Sequence, residues 1–240
     1  MQISDADRTL TAGIFDVDGV LLSSPHERAW RDALIGLADP DLFTTSVYQA
    51  SVAGKPRSNG AIAALKAVGV KNAAQLAPAY AGRKQKRLEE LIQAKEFSAF
   101  PDALRFVQAI HALGWPMAVA SSSKNANAML QKIPFGPGRS LLDAFSANVC
   151  GRDLRHGKPN PEIFLLAAEA LGITPRHCFV VEDAPSGIEA AHAGDMTALG
   201  IARLGDAEQL RAAGADEVVE TLDEVAIDIL ASGRLGRCRS

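Results

Sequence analysis

Two acidic pairs carry the first hint of chemistry. Asp16-Val17-Asp18 closes the apolar run 11–15, and Glu182-Asp183 closes the apolar run 178–181. Both runs are short and read as buried strands, so each pair stands at a strand end. Residues two apart on a strand point to one side, which would aim Asp16 and Asp18 together. Carboxylates gathered in this way repel one another unless a cation neutralises them. Hard oxygen donors in that number suit Mg²⁺. Two further positions have the opposite character. Ser121-Ser122-Ser123-Lys124-Asn125 follows the apolar run 117–120 and brings hydroxyls, amides and a lysine to the start of an expected helix, a place that binds phosphate. Lys158, in Gly157-Lys158-Pro159, precedes the next expected helix and could neutralise a phosphoryl group as a point charge. Carboxylates, Mg²⁺, hydroxyls and lysine together describe phosphoryl transfer, where positioning and charge neutralisation dominate.

Taken singly, each feature has a plainer reading. Asp-x-Asp is common in surface turns, a serine run caps helices, a lysine is usually solvated, and Glu182-Asp183 could simply open a loop. Their order along the chain, each at a strand end, favours the joint reading.

The elements that must position these residues alternate. Strands are expected at 11–15, 117–120, 146–150, 178–181 and 197–201, and helices at 102–113, 125–132, 159–171, 186–193, 206–213 and 222–229. Proline at the start and Gly172 just past the end bound the 159–171 helix. Such alternation implies an α/β fold, a Rossmann-like doubly wound parallel sheet with helices on both faces, whose sites lie at the carboxyl ends of the strands. The stretch from 25 to 94 breaks the alternation. It reads as helices at 26–37, 41–52, 58–68 and 73–94, with apolar faces such as Ile62, Leu65 and Val68. We therefore expect a catalytic core over 1–23 and 98–240 and an inserted all-helical cap domain over 24–97. The segment 133–142, rich in Pro and Gly, reads as a loop.

Bulk properties narrow the field. The chain has 240 residues, 25 basic against 28 acidic, for a net charge of −3. That balance and the 5% aromatic content argue against nucleic-acid binding. No apolar run is long enough to span a bilayer, and residues 1–10 lack the basic start and apolar stretch of a signal peptide. Cys150, Cys178 and Cys238 form no close metal-binding pair, and an odd count suits a reducing cytoplasm. Cys150 and Cys178 are expected to pack as small hydrophobes. A small phosphorylated substrate, no membrane partner, a monomer and a cytoplasmic location follow as expectations.

Four segments then carry a resemblance. Phe15-Asp16-Val17-Asp18-Gly19-Val20-Leu21, Ala120-Ser121-Ser122, Gly157-Lys158-Pro159 and Val181-Glu182-Asp183-Ala184-Pro185-Ser186-Gly187-Ile188 resemble the four motifs of the haloacid dehalogenase superfamily. The resemblance implies that Asp16 is phosphorylated and that Asp18 is the general acid and base. It implies Mg²⁺ held by Asp16, the Asp18 backbone carbonyl and Asp183, with Glu182 in support, and a phosphoryl group gripped by Ser121 and Lys158. Finer similarity points to the β-phosphoglucomutases of that superfamily. His26-Glu27-Arg28-Ala29-Trp30 is similar to their cap-entry segment, the loop with Gly54 and Arg57 to their substrate loop, and Ser121-Ser122-Ser123-Lys124-Asn125 to their distal phosphate site; Lys84 would be another cap lysine. Against this stand plain readings: His26 as a helix-start polar residue, and Arg57 and Lys84 as solvated charges. A sugar-phosphate mutase is the leading expectation, a sugar-phosphate phosphatase the alternative. Ser23-Ser24, where relatives often carry an acidic residue, departs from the pattern.

Overall fold

A computed structural model describes residues 9–238, so the amino-terminal stretch read above for a signal peptide falls largely outside the described span. In chain order the elements are β1 (Ala12–Phe15), β2 (Leu22–Ser23), α1 (His26–Ala33), α2 (Thr45–Ser51), α3 (Arg57–Ala67), α4 (Ala73–Gln93), β3 (Ser98–Ala99), α5 (Pro101–Ala112), β4 (Met117–Val119), α6 (Ala126–Leu130), β5 (Ala147–Asn148), α7 (Glu162–Leu171), β6 (Cys178–Glu182), α8 (Pro185–Ala193), β7 (Thr197–Ile201), α9 (Ala207–Ala212), β8 (Glu217–Val219) and α10 (Ile227–Ala231). The chain divides into two compact units: the residues up to Leu22 together with Ala99 onward, and Ser23–Ser98.

The first unit is an α/β fold. Six strands form one sheet in the order β5-β4-β1-β6-β7-β8, and the pairs are parallel. The two strands beside β1 are β4 and β6. All four residues of β1 are buried, as expected of a parallel strand covered on both faces, which reads as an unbroken apolar run. Phe15, the last of them, meets Phe106, Phe145 and Phe179 edge to face, with ring centroids 5.7–6.0 Å apart. Proline at the first turn starts α5 and α8, and Gly172 in the left-handed conformation ends α7.

The second unit is helical. Trp30, Leu34, Phe43, Ala61, Leu65, Ala77 and Tyr80 lie in its core, and the Tyr80 hydroxyl donates to the Trp30 carbonyl at 2.8 Å. Where the chain passes between the units, β2 and β3 pair as a two-stranded ribbon. Among the described residues no helix is long and apolar enough to cross a membrane.

Several local expectations are corrected. The 26–37 helix stops at Ala33, ahead of Gly36 at φ +80°. The 41–52 helix is a single 3₁₀ turn, Pro40–Leu42, followed by α2, because the Thr44 hydroxyl caps the Val47 amide. The 146–150 strand is regular only over Ala147–Asn148; the Asn148 side chain accepts from the Cys150 amide, and Val149 and Gly151 still donate to the Val119 and Ser121 carbonyls. The 159–171 helix begins at Glu162. The 222–229 helix is split: a Thr221–Glu224 capping box closes one 3₁₀ turn, Val225 is extended, and α10 follows. β8 has no counterpart among the expected strands. In the 133–142 loop, Pro134 and Ser140 bridge, and Asp143 accepts from the Ser140 amide at 2.8 Å.

The Phe15 cluster yields a stability prediction. Phe15→Ala should cost about 3–5 kcal/mol, the range for a buried aromatic ring replaced by a cavity. Urea unfolding measures it, and a loss below about 1 kcal/mol would contradict the packing described.

Candidate functional site

Strand order brings the sequence-read residues of the first unit together. β1 delivers Asp16, whose amide donates to the Val181 carbonyl of β6 at 3.1 Å, while the Ala120 amide after β4 donates to Phe15 at 2.9 Å. So Ser121 on one side and Glu182-Asp183 on the other flank the end of the central strand. Asp16 and Asp18 lie past the last residue of β1. Their closeness therefore comes from a tight turn rather than from strand alternation: Leu21 and Leu22 both donate to the Val17 carbonyl, and Gly19 donates back to Leu22 at 2.9 Å. Gly19 sits at φ +78°, and a Cβ there would fall 1.9 Å from an Asp183 oxygen, so that carboxylate packs directly on the turn. A Cβ on Gly187 would fall 2.0 Å from the Glu182 carboxyl carbon, which fixes Glu182 from the other side.

Lys158 is no solvated lysine. It is buried, its Nζ lies 2.6 Å from Asp16 Oδ1, and it also donates to Glu182 Oε1. The ring of Phe164 stands 4.9 Å from the same nitrogen. The second Glu182 oxygen accepts from the amides of Asp183 and Ala184 at 3.1 and 3.2 Å. Both oxygens of Glu182 are thus committed, which makes it a brace for Lys158 and the 183–184 turn.

The charges do not balance within this group. Burial, and the neighbouring carboxylates of Glu182, Asp16 and Asp18, hold the Asp183 carboxyl well above its usual range. Burial likewise raises Glu182, to about 7, and raises Asp16, with Lys158 opposing in both cases. Burial alone would lower Lys158, but the carboxylates of Asp16 and Glu182 outweigh it and hold the ammonium protonated. One lysine faces four acids, and the surplus is oxygen-rich, as a hard divalent cation requires. Among the described residues no group of three or more His, Cys, Asp or Glu side chains is gathered as a ready metal cage. One or two carboxylates completed by a backbone carbonyl and water are what Mg²⁺ uses.

The serine segment differs from expectation. The helix that follows it starts only at Ala126 and has five residues, so Ser121–Lys124 form a turn ahead of it. Ser121 is buried; its Oγ accepts from the Ser123 amide at 3.1 Å, and Ser123 Oγ accepts from Asn125 at 3.3 Å. Lys124 pairs with Asp153 at 2.7 Å on the exposed side, and Ser122 is half-buried. Cys150 is corrected as well. It is half-buried, and burial, with the charges of Asp16 and Asp18, pushes its thiol up to about 12. Cys178 is buried in the core.

In the helical unit, Lys84 is buried, contrary to its reading as a solvated charge. Its Nζ lies 3.0 Å from His26 Nδ1 and 4.8 Å from the Trp30 ring. Gly54, at φ +74°, shapes the turn before Arg57, the first residue of α3. Burial, then Lys84 and Arg57, holds His26 well below its ordinary value of 6.5. Lys84 stands on the buried face of α4, between Tyr80 and Leu88 at helical spacing.

A model of the haloacid dehalogenase-like hydrolases matches residues 11–195. A Mycobacterium tuberculosis protein named β-phosphoglucomutase is 34% identical over 89% of this chain and 90% of its own. A phosphorylated carbohydrates phosphatase of Thermotoga maritima is 29% identical over 90% of this chain and all of its own. A solved archaeal β-phosphoglucomutase of Pyrococcus superposes with a TM-score of 0.73 at 33% identity, over 92% of this chain and 97% of the other.

His26 carries a pH prediction. Folded, it resists protonation; unfolded, it takes a proton near 6.5. Below that pH the unfolded state binds more protons, so stability falls as pH falls, by up to about 1.4 kcal/mol per pH unit. Thermal unfolding followed by tryptophan fluorescence should show this slope, flattened in His26→Gln. Equal slopes in both proteins would contradict it.

Proposed function

The chain belongs to the haloacid dehalogenase-like hydrolase family, and on that premise we propose that it is a Mg²⁺-dependent sugar-phosphate mutase of the β-phosphoglucomutase kind. The observation that carries the reading is Asp16: buried at the tip of the central strand, held 2.6 Å from a buried lysine, and flanked by Ser121 and Asp183. Asp16 attacks phosphorus, the bond to the departing sugar oxygen breaks, and Asp18 gives that oxygen a proton. In the return step a second sugar hydroxyl loses its proton to Asp18 and takes the phosphoryl group from Asp16. Lys158 and Ser121 neutralise and hold the transferring oxygens throughout. Asp16, Asp183 and the Asp18 carbonyl are the groups that would hold Mg²⁺, with Glu182 bracing. When bound, Mg²⁺ supplies positive charge to the transferring phosphoryl oxygens.

A mutase must also grip the phosphate that is not being transferred. On this reading the helical unit is the cap, and Arg57, His26, Gly54 and Lys84, together with Ser122, Ser123, Lys124 and Asn125, are the residues that would serve that phosphate. The substrate is a small sugar phosphate, and the enzyme acts as a cytoplasmic monomer. The phosphatase reading, with water in place of the second sugar hydroxyl, keeps the same residues and is favoured by the phosphatase among the relatives.

A screen of hexose and pentose phosphates with Mg²⁺ and a bisphosphate primer decides between them: isomerised sugar phosphate supports the mutase, and free phosphate alone with every sugar overturns it. Arg57→Ala should cut isomerisation roughly tenfold to a hundredfold, because charged hydrogen bonds to phosphate contribute about 1.5–3 kcal/mol. Hydrolysis of a phosphate ester with no second phosphate should hardly change. Equal loss of both reactions would assign Arg57 to the fold or to the transferring group.

A further inference from the structure

The turn that carries Asp18 is tied down by a residue outside all four motifs. Arg203 follows β7, and its side chain is largely buried. Its Nε donates to the Gly19 carbonyl at 2.9 Å and its Nη2 to the Val20 carbonyl at 3.1 Å. Its Nη1 donates to Asp102 Oδ2 at 3.1 Å, and the guanidinium lies 3.7 Å from the Phe100 ring. Asp102 is fixed in turn, since the same oxygen accepts from the Leu222 amide at 2.8 Å and the Thr221 hydroxyl at 3.1 Å. Phe100 donates its amide to the Leu21 carbonyl at 3.0 Å.

One guanidinium therefore joins three separate stretches: the Asp18–Leu22 turn, the start of α5 and the turn before Leu222. We infer that Arg203 is a positioning residue, which sets the backbone of the Asp18–Val20 turn and so the placement of Asp18 relative to Asp16. Five donors in a rigid planar fork make this possible. Lysine, a point donor, can serve one of the two carbonyls but cannot span both and stack on Phe100 as well. The catalytic consequence rests on the phosphoryl-transfer reading above; the anchoring of the turn does not.

The test uses full-length Arg203→Lys and Arg203→Met. Amide hydrogen exchange over residues 19–22 should quicken by roughly tenfold or more in both, because the turn loses the guanidinium that spans its Gly19 and Val20 carbonyls. Exchange in β6 and α7 should stay as in the wild type. With Mg²⁺ and a hexose phosphate, whose departing sugar oxygen needs a proton, kcat for isomer or free phosphate should fall by about tenfold to a hundredfold, more in Met than in Lys, with KM within about threefold, since a displaced general acid harms the transition state more than binding. Unchanged exchange at 19–22, or an equal rise across the whole sheet, overturns the inference. Local loosening with unchanged kcat overturns its catalytic part. A wild-type protein that neither isomerises any sugar phosphate nor hydrolyses any phosphate ester sinks the phosphoryl-transfer reading, while the exchange result still decides the anchoring.

Discussion

An ammonium group removed from water among carboxylates is stable only where its attractions and hydrogen bonds offset the desolvation, and Lys158 meets that condition by holding Asp16 and Glu182 at once. Much of the site follows from it. Lys158 keeps Asp16 and Glu182 from being bare buried charges, and Glu182 in turn fixes the amides of Asp183 and Ala184. Removing one partner from such a group costs about 3–5 kcal/mol, because the other charge is left uncompensated. Lysine alone still leaves the acids in excess. That imbalance is the physical reason a divalent cation fits the arrangement, and it adds to burial in raising the Asp183 carboxyl.

The sheet explains why residues so far apart in sequence can do this. β1 is central, and its immediate neighbours deliver Ser121 and Glu182-Asp183 to the same end. Phe15 packs among three other rings and directly precedes Asp16, so the nucleophile candidate follows on an aromatic cluster of the core. Glycine is required where carboxylates crowd the backbone: side chains on Gly19 or Gly187 would collide with Asp183 or Glu182.

Much of this was legible in the sequence. The α/β class followed from apolar runs alternating with helical periodicity, and the acidic pairs, serines and lysine were found by asking what stood at each strand end. Less was legible where long-range contacts override local pattern. The burial of Lys84 of α4 against His26 and Trp30 depends on partners from a separate helix, α1. β8 is three residues long, with only two of them buried. The breaks at Thr44 and Thr221 are side-chain caps that an apolar pattern runs straight through. Cys150 read as a core residue because its sequence neighbours are apolar, whereas in space the acids of the site bear on it. Arg203 lies outside every motif, and only its contacts mark it.

The central claim is that Asp16 becomes phosphorylated during turnover. The direct measurement is to mix the protein with a sugar bisphosphate and Mg²⁺, quench, reduce with borohydride and map the peptides by mass spectrometry. An aspartyl phosphate is converted to homoserine by this treatment. The account predicts homoserine in place of Asp16 and at no other acidic residue; turnover with Asp16 unmodified, or reduction at a different carboxylate, would contradict it.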